Sequence, residues 1–329
     1  MGDSLVSVVT PVYNGQDYLR ECIESVLGQT NSNFEYIIVN NCSKDRTLEI
    51  ALEYAKQDPR IRVHDNEKFV GVIDNHNIAF GLISRNAKYC KVVSADDFLF
   101  PDCLRQLMAV GESNPTAGFI GCYQLSGHRV LWQGFRYPQA LFDGRELCRK
   151  VFTDGDPTFG FGTPTSLLYR ADLIRESGGA FYPNASPHSD TSACFKHLRN
   201  CDFGFAYQVL AYERTHELTQ SSKSADLNRY SSAYIDDLIN YGRFYLKEDD
   251  WKRRLGEEVD AYYQFLAVNA MRRKDAEFWD YHRARLKELG YPMSTIRLLR
   301  GGMAKLFGVL RNPAQAARKI RRRSTGQPR

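Results

Sequence analysis

Four short runs dense in Val, Ile and Tyr recur through the first 94 residues: SLVSVVTP, FEYIIVN, IRVHD and KYCKVVS. They are apolar on successive positions rather than alternate ones, the mark of strands covered on both faces. Between them, QDYLRECIESVLGQ spaces Leu19, Cys22, Ile23, Val26 and Leu27 by threes and fours. SKDRTLEIALEYAKQ does the same with Leu48, Ala51, Leu52 and Ala55, with Ser43 as the expected N-cap. NHNIAFGLISR reads as a third helix. Strand and helix in alternation mean βαβ units, so the fold class is α/β, with a Rossmann-like, mostly parallel central sheet flanked by helices.

After Asp97 the pattern loosens. PDCLRQLMAVGES reads as a helix opened by Pro101, AGFIGCYQL and RVLWQGF as strands, and FTDGDPTFGFGTPT as a loop rich in Gly and Pro. SLLYR is a strand, ADLIRES a helix stopped by Gly178 and Gly179, SDTSACFKHLRN a helix and QVLAYERTH a strand. From about Asp226 onward the periodicity is helical. The chain therefore divides into residues 1–220, a helical region over 225–292, and an amphipathic helix with a tail over 293–329.

Eight cysteines lie scattered among apolar residues without a C-x-x-C pair, which reads as buried, reduced thiols in a cytoplasmic protein and gives no zinc-ligand spacing. The first residues lack the basic start of a signal peptide, and no apolar run reaches the length of about 18 residues that spans a bilayer. The net charge of +5 is lopsided: Met293–Arg329 holds ten Lys or Arg and no Asp or Glu, so the rest carries −5.

The stretch VVSADDFLFPDCL places Asp96 and Asp97 just past a strand end, where ligands collect in an open α/β sheet. Adjacent carboxylates repel unless a cation sits between them or one holds a proton. A hard divalent ion, Mn²⁺ or Mg²⁺, takes one or two such carboxylates and completes its shell with phosphate and water. The plainer alternative is acidic residues favouring a following helix dipole.

Around that pair, VSVVTPVYNGQDYLRECIESVLGQT, FEYIIVNNCSKDRT, GVIDNHNIAFGLISRNAKYCKVVSADDFLFPDCL, TPTSLLYRADLIRESGGAFYPN and SDTSACFKHLRNCDFGFAYQVLAYERTH follow in order. Together they resemble the inverting family 2 glycosyltransferases of GT-A fold, of the type that builds bacterial cell-surface polysaccharides and glycans. The likeness covers residues 4 to about 217. It implies transfer of a hexosyl or hexosaminyl group from a nucleotide-diphosphate sugar, UDP favoured, to an acceptor hydroxyl, with a metal assisting the leaving group. It implies nucleotide contacts from Pro11, Tyr13, Asn14, Asn41, Asn75, Asn77 and Asp96. The implied metal ligands are Asp97 directly, Asp96 through water unless it serves as a ribose contact instead, and His216, as a third ligand or a phosphate contact. Asp190 becomes the catalytic base, with Asp156 a distant alternative in a loop that would cover the site.

Asn41 and Cys42 depart from the family, which usually has Asp and Gly there. Read without the resemblance, Tyr13 is a turn aromatic, Asn75, His76 and Asn77 are hydrogen bonders at a helix start, Asp190 is a first-turn acid and His216 an exposed loop residue. Two other functions stay open. A sugar nucleotidyltransferase calls for a basic loop near the N-terminus, and TPVYNGQ has no basic residue. A non-catalytic sugar-nucleotide-binding protein is kept open by the altered Asn40-Asn41-Cys42 turn.

Finally, Ile296, Leu299, Met303, Leu306, Phe307 and Leu310 form one stripe of a helix about 22 Å long, flanked by basic residues. A stripe of this kind suits a membrane interface, and with it a lipid-linked acceptor and a peripheral position on the inner face of the plasma membrane. The alternative is a helix packed on the protein. No nucleic-acid partner is expected, because no binding motif accompanies the charge.

Overall fold

The computed structural model describes residues 4–154, 160–183, 188–215, 227–272 and 274–311. The chain forms two compact units, Met1–Lys223 and Ser224–Arg329.

In the first unit, β1 (Val6–Val12), β2 (Phe34–Asn40), β3 (Ile61–Asp65) and β4 (Tyr89–Val92) pair in the order β3-β2-β1-β4, all parallel. The continuous burial of β1, β2 and β4 explains their unbroken apolar sequence. Between them run α1 (Leu19–Leu27), α2 (Thr47–Gln57) and α3 (Val72–Gly81). On α1 the buried residues are Leu19, Cys22, Ile23 and Val26, the stripe its spacing requires. Ser43 is not the cap of α2: it accepts the Asn14 N–H (2.9 Å), and Asp45 takes the Thr47 N–H (3.0 Å) at the helix start.

The second half of the sheet is mixed. It contains β5 (Phe98–Leu99), β6 (Ala117–Ser126), β7 (Arg129–Leu131), β8 (Leu141–Phe142), β9 (Leu167–Arg170) and β10 (Asp202–Glu213), with the path continuing β4-β9-β6-β10-β5. β9 runs antiparallel to both β4 and β6, while β6 and β10 are parallel to each other. Because β9 is reversed, its beginning, not its end, meets the carboxyl end of β4. Leading into β9 is a short 3₁₀ turn, Pro164–Ser166. The helices here are α4 (Cys103–Ser113), α5 (Gly144–Asp154), α6 (Ala171–Glu176) and α7 (Ser189–His197). As expected, α6 ends at Gly178 and Gly179, both at positive φ.

The second unit is helical: α8 (Arg229–Tyr245), α9 (Glu248–Met271), α10 (Ala276–Glu288) and α11 (Thr295–Arg311). Asp275 caps α10 by accepting the Phe278 N–H (3.0 Å). His282 is fully buried among Tyr262, Phe265, Phe278 and Tyr281. Its Nδ1 lies 2.6 Å from the Tyr262 hydroxyl, its Nε2 has no partner among the described residues, and burial lowers its pKa to about 4. α11 packs on α9 through Gly301, where an added Cβ would fall 2.9 Å from the Tyr263 carbonyl oxygen. The apolar stripe is not the packing face: Ile296, Leu299, Met303, Leu306 and Phe307 are each more than half exposed. Among the described residues no helix is long and apolar enough to cross a membrane.

Candidate functional site

The carboxyl ends of β1, β2 and β4 lie side by side, and the residues after each strand form one rim. After β1, Tyr13 is 44% exposed and Asn14 adopts φ +51°. The Asn14 side chain accepts the Lys44 N–H (2.8 Å), and its own N–H goes to Ser43, so the first and second strand ends are laced together. Pro11 sits near the end of β1, opposite Val39.

After β2, Asn41 is buried and its amide is used within the protein. Oδ1 accepts from the Val70 N–H (3.0 Å) and from Asn66 Nδ2 (3.1 Å), and Nδ2 donates to the Val70 carbonyl (2.9 Å). Asn66 also donates to Asn75 Oδ1 (2.8 Å), and Asn75 reaches the Val39 carbonyl. Three amides thus pin the segment after β3 against the end of β2. Cys42 takes the left-handed backbone (φ +55°) that a glycine would adopt freely and donates to the Asn66 carbonyl (3.1 Å). The pinned segment presents Phe69, 60% exposed, edge-on to Tyr13 with ring centroids 4.8 Å apart. Asn77 exchanges two hydrogen bonds with the Tyr182 backbone (2.9 and 3.0 Å), and His76 bonds the Val72 carbonyl. Asn41, Asn75 and Asn77 therefore all build the walls of the rim with their side-chain amides.

After β4 comes the acid pair. Asp96 is half-buried, whereas Asp97 is only 6% exposed and accepts on both oxygens. Thr165 Oγ1 donates to Oδ2 (2.6 Å), and the Arg214 backbone N–H donates to Oδ1 (3.0 Å). Burial first, and then the charge of Asp96, push the Asp97 pKa up to about 7, against the opposing pull of those two donors. The Arg214 guanidinium donates to the Asp96 carbonyl (3.0 Å), pairs with Glu21 and lies 4.7 Å over the Tyr18 ring. Below Thr165 the buried Lys91 ammonium donates to the Thr165 and Leu167 carbonyls, bracing the turn that carries the threonine. So the carboxylates do have cations near them, but Arg214 and Lys91 bond backbone and Glu21 rather than the acid pair.

Glu213, at the end of β10, has its pKa raised by burial and then by the charges of Asp96 and Asp190. Asp190 itself is half-buried in the first turn of α7. Phe69, Thr165, Arg214 and Glu213 were not among the residues expected from sequence. For Arg214 a signal existed, its place in the R-T-H ending, but its backbone contact had none. His216 and Asp156 lie outside the described residues.

The donor set is carboxylate oxygen, the kind that Mn²⁺ and Mg²⁺ prefer, and a carboxyl held near pKa 7 beside a second one gains from a divalent cation. Asp96 is the more exposed of the two and Asp97 is buried with both oxygens bonded, which favours Asp96 as the ion-facing residue, the reverse of the order that the resemblance implies. Among the described residues no group of three or more His, Cys, Asp or Glu side chains already converges as a closed metal cage. An open set of one or two carboxylates is what an ion shared with phosphate requires.

Residues 7–177 match the family model described as Glycosyl transferase family 2. An uncharacterized glycosyltransferase of Haemophilus influenzae is 35% identical over 36% of this chain and 36% of its own length. The putative teichuronic acid biosynthesis glycosyltransferase TuaG of Bacillus subtilis is 37% identical over 36% of this chain and 46% of its own. The chain thus spans less than half the length of these relatives. Among solved structures, S. aureus TarS 1–349 in complex with UDP-GlcNAc superposes with a TM-score of 0.61 at 17% identity, covering 95% of this chain and 92% of that one. The mannosyltransferase PcManGT from Pyrobaculum calidifontis, in complex with GDP-Man and Mn²⁺, gives 0.55 at 14% identity, covering 93% and 86%. At such identities the likeness establishes the fold: a mixed α/β sheet flanked by helices, of GT-A type, followed by helices.

Proposed function

Because the chain belongs to glycosyl transferase family 2, matched over residues 7–177, we propose that it moves a sugar from a nucleotide-diphosphate sugar to an acceptor hydroxyl with inversion at the anomeric carbon. The observation that carries this reading is the adjacent pair Asp96 and Asp97 just past the end of β4, with Asp97 buried and held by Thr165 and the Arg214 N–H, on the same rim as Tyr13 and Phe69.

Tyr13 and Phe69, already in edge contact with each other, offer the base an aromatic surface to lie against, on a segment that Asn41, Asn66 and Asn75 hold in place. UDP is the favoured nucleotide; UDP-GlcNAc in the TarS complex supports it, and GDP-Man in the PcManGT complex keeps other bases in the test. Asp96, backed by Asp97, would hold Mn²⁺ or Mg²⁺, which when bound neutralises the charge of the departing diphosphate. Asp190 accepts the proton of the acceptor hydroxyl as that oxygen attacks the anomeric carbon from the face opposite the diphosphate. The bond to the diphosphate oxygen breaks, its electron pair leaves with the phosphate, and the configuration inverts. A surface-glycan acceptor fits the likeness to TuaG, a putative teichuronic acid biosynthesis enzyme.

The test pairs turnover with binding. Asp190→Asn should lower transfer by about 10²–10⁴-fold while Mn²⁺-dependent stabilisation by the donor persists. If the wild-type chain is stabilised by no nucleotide-diphosphate sugar with or without Mn²⁺, or if Asp190→Asn transfers at the wild-type rate, the reading fails.

A further inference from the structure

On α11, each residue advances by about 100° around the axis. Ile296, Leu299, Met303, Leu306 and Phe307 therefore share one arc of roughly 100°, and all are exposed. Arg300 stands along one edge of that arc and is exposed, while Arg297 lies further round toward the packed side, its guanidinium 5.8 Å over the Tyr263 ring and 5.5 Å over the Tyr291 ring. On the far side are Leu298, Gly301 and Gly302, and it is this small-residue side that meets α9. A Cβ on Gly301 would strike the Tyr263 and Gln264 backbone at 2.9–3.0 Å, and one on Gly302 would touch the Ala267 Cβ at 3.8 Å. The helix is thus already docked, through its glycines, and its greasy arc is left over. Large apolar side chains repeated at helical spacing on an outer surface are unusual for a soluble protein and mark a contact.

We propose that α11 is an interfacial anchor that lies flat on a bilayer rich in anionic phospholipid, with the Ile296–Phe307 arc among the acyl chains and Arg300 at the headgroup phosphates. A helix of this length reaches about 25 Å, too short to cross the hydrocarbon core but suited to lying along it. Charge selects the occupant. Between Met293 and Arg329 stand ten Lys or Arg and no Asp or Glu. A second copy docked by two-fold symmetry would lay this surface on itself and bring Arg300 and its basic neighbours toward their own copies. An anionic leaflet instead supplies the opposite sign, and each basic residue near it adds to the attraction. Attachment to a membrane surface follows. It stands apart from the transfer reaction, because it uses no residue of the carboxylate site.

The full chain is sedimented with vesicles of phosphatidylcholine alone and of phosphatidylcholine with about one-third phosphatidylglycerol. Wild type should bind the anionic vesicles at least about tenfold better, and the bound fraction should fall severalfold at about 0.5 M salt. Leu299→Glu with Phe307→Glu should reduce binding by about tenfold or more with the melting temperature kept, since both positions are exposed. Arg300→Gln should lower the preference for phosphatidylglycerol without abolishing it, because the other basic residues of the segment remain. Three results overturn the proposal: wild type left in the supernatant, the double glutamate variant bound like wild type, or a dimer by analytical ultracentrifugation that the glutamates dissolve. Binding is read here without turnover, so its failure would leave the glycosyl-transfer reading standing, and an inactive chain could still sediment.

Discussion

Acidification should weaken the helical unit through one side chain. His282 is buried beside Tyr262 with its Nε2 unbonded among the described residues, and burial lowers its pKa from 6.5 to about 4. Between those values the unfolded chain holds a proton that the folded one refuses. Stability therefore rises with pH across that window and is lost as pH falls from 6.5 toward 4. Each tenfold difference in proton affinity between the folded and unfolded chain is worth about 1.4 kcal/mol. The full loss is then about 3 kcal/mol, of which about 2 kcal/mol falls between pH 7 and pH 5. Urea unfolding at the two pH values measures it. Of the three tryptophans only Trp132 lies in the first unit, so a Trp132→Phe background leaves Trp251 and Trp279 to report on the second. The first unit has its own histidine of this kind, His197, also near 4, which the probe leaves out of view. In that background His282→Phe should start less stable, because Tyr262 loses its partner, but should flatten the pH slope. A wild-type transition equally stable at pH 5 and pH 7, or an unchanged slope in His282→Phe, would refute the reasoning.

Three further outcomes follow from contacts already described. Thr165→Val strips the 2.6 Å donor from Asp97; it should cost about 1.5–3 kcal/mol in urea unfolding and weaken Mn²⁺-dependent donor binding by calorimetry. Phe69→Ala removes one aromatic wall and should weaken donor affinity by about 1 kcal/mol, roughly fivefold, with melting temperature unchanged because the ring is mostly exposed. Gly301→Val drives a side chain into the Tyr263 backbone; the second unit should lose about 1–3 kcal/mol in the same urea assay.

The parallel half of the sheet was legible because burial on both faces writes itself into β1, β2 and β4 as unbroken apolar runs. Strand direction leaves no such trace: nothing in SLLYR says that it runs backwards between β4 and β6, yet that reversal delivers Thr165 to Asp97. The acid pair stood out because two like charges at a strand end need a reason. Its supporting donors did not, since Thr165 and the Arg214 N–H are ordinary groups until the fold brings them together. The amides were visible as polar residues in the right places, but whether Asn41, Asn75 and Asn77 face a ligand or the chain itself is a matter of side-chain direction, which spacing does not encode. Ser43 misled for a related reason: it has the chemistry of a helix cap, and Asp45 two residues on does that work while Ser43 ties down the neighbouring loop.

The two donors that hold Asp97 come from residues 68 and 117 positions further along the chain. During synthesis, the strands through β4 can pair while both are still to be made, and closing such wide loops is slow. A nascent chain that has not reached residue 214 therefore carries the acid pair without its scaffold. Competence for chemistry arrives at the end of assembly, and a fragment cut short of Arg214 would keep a sheet but no finished centre.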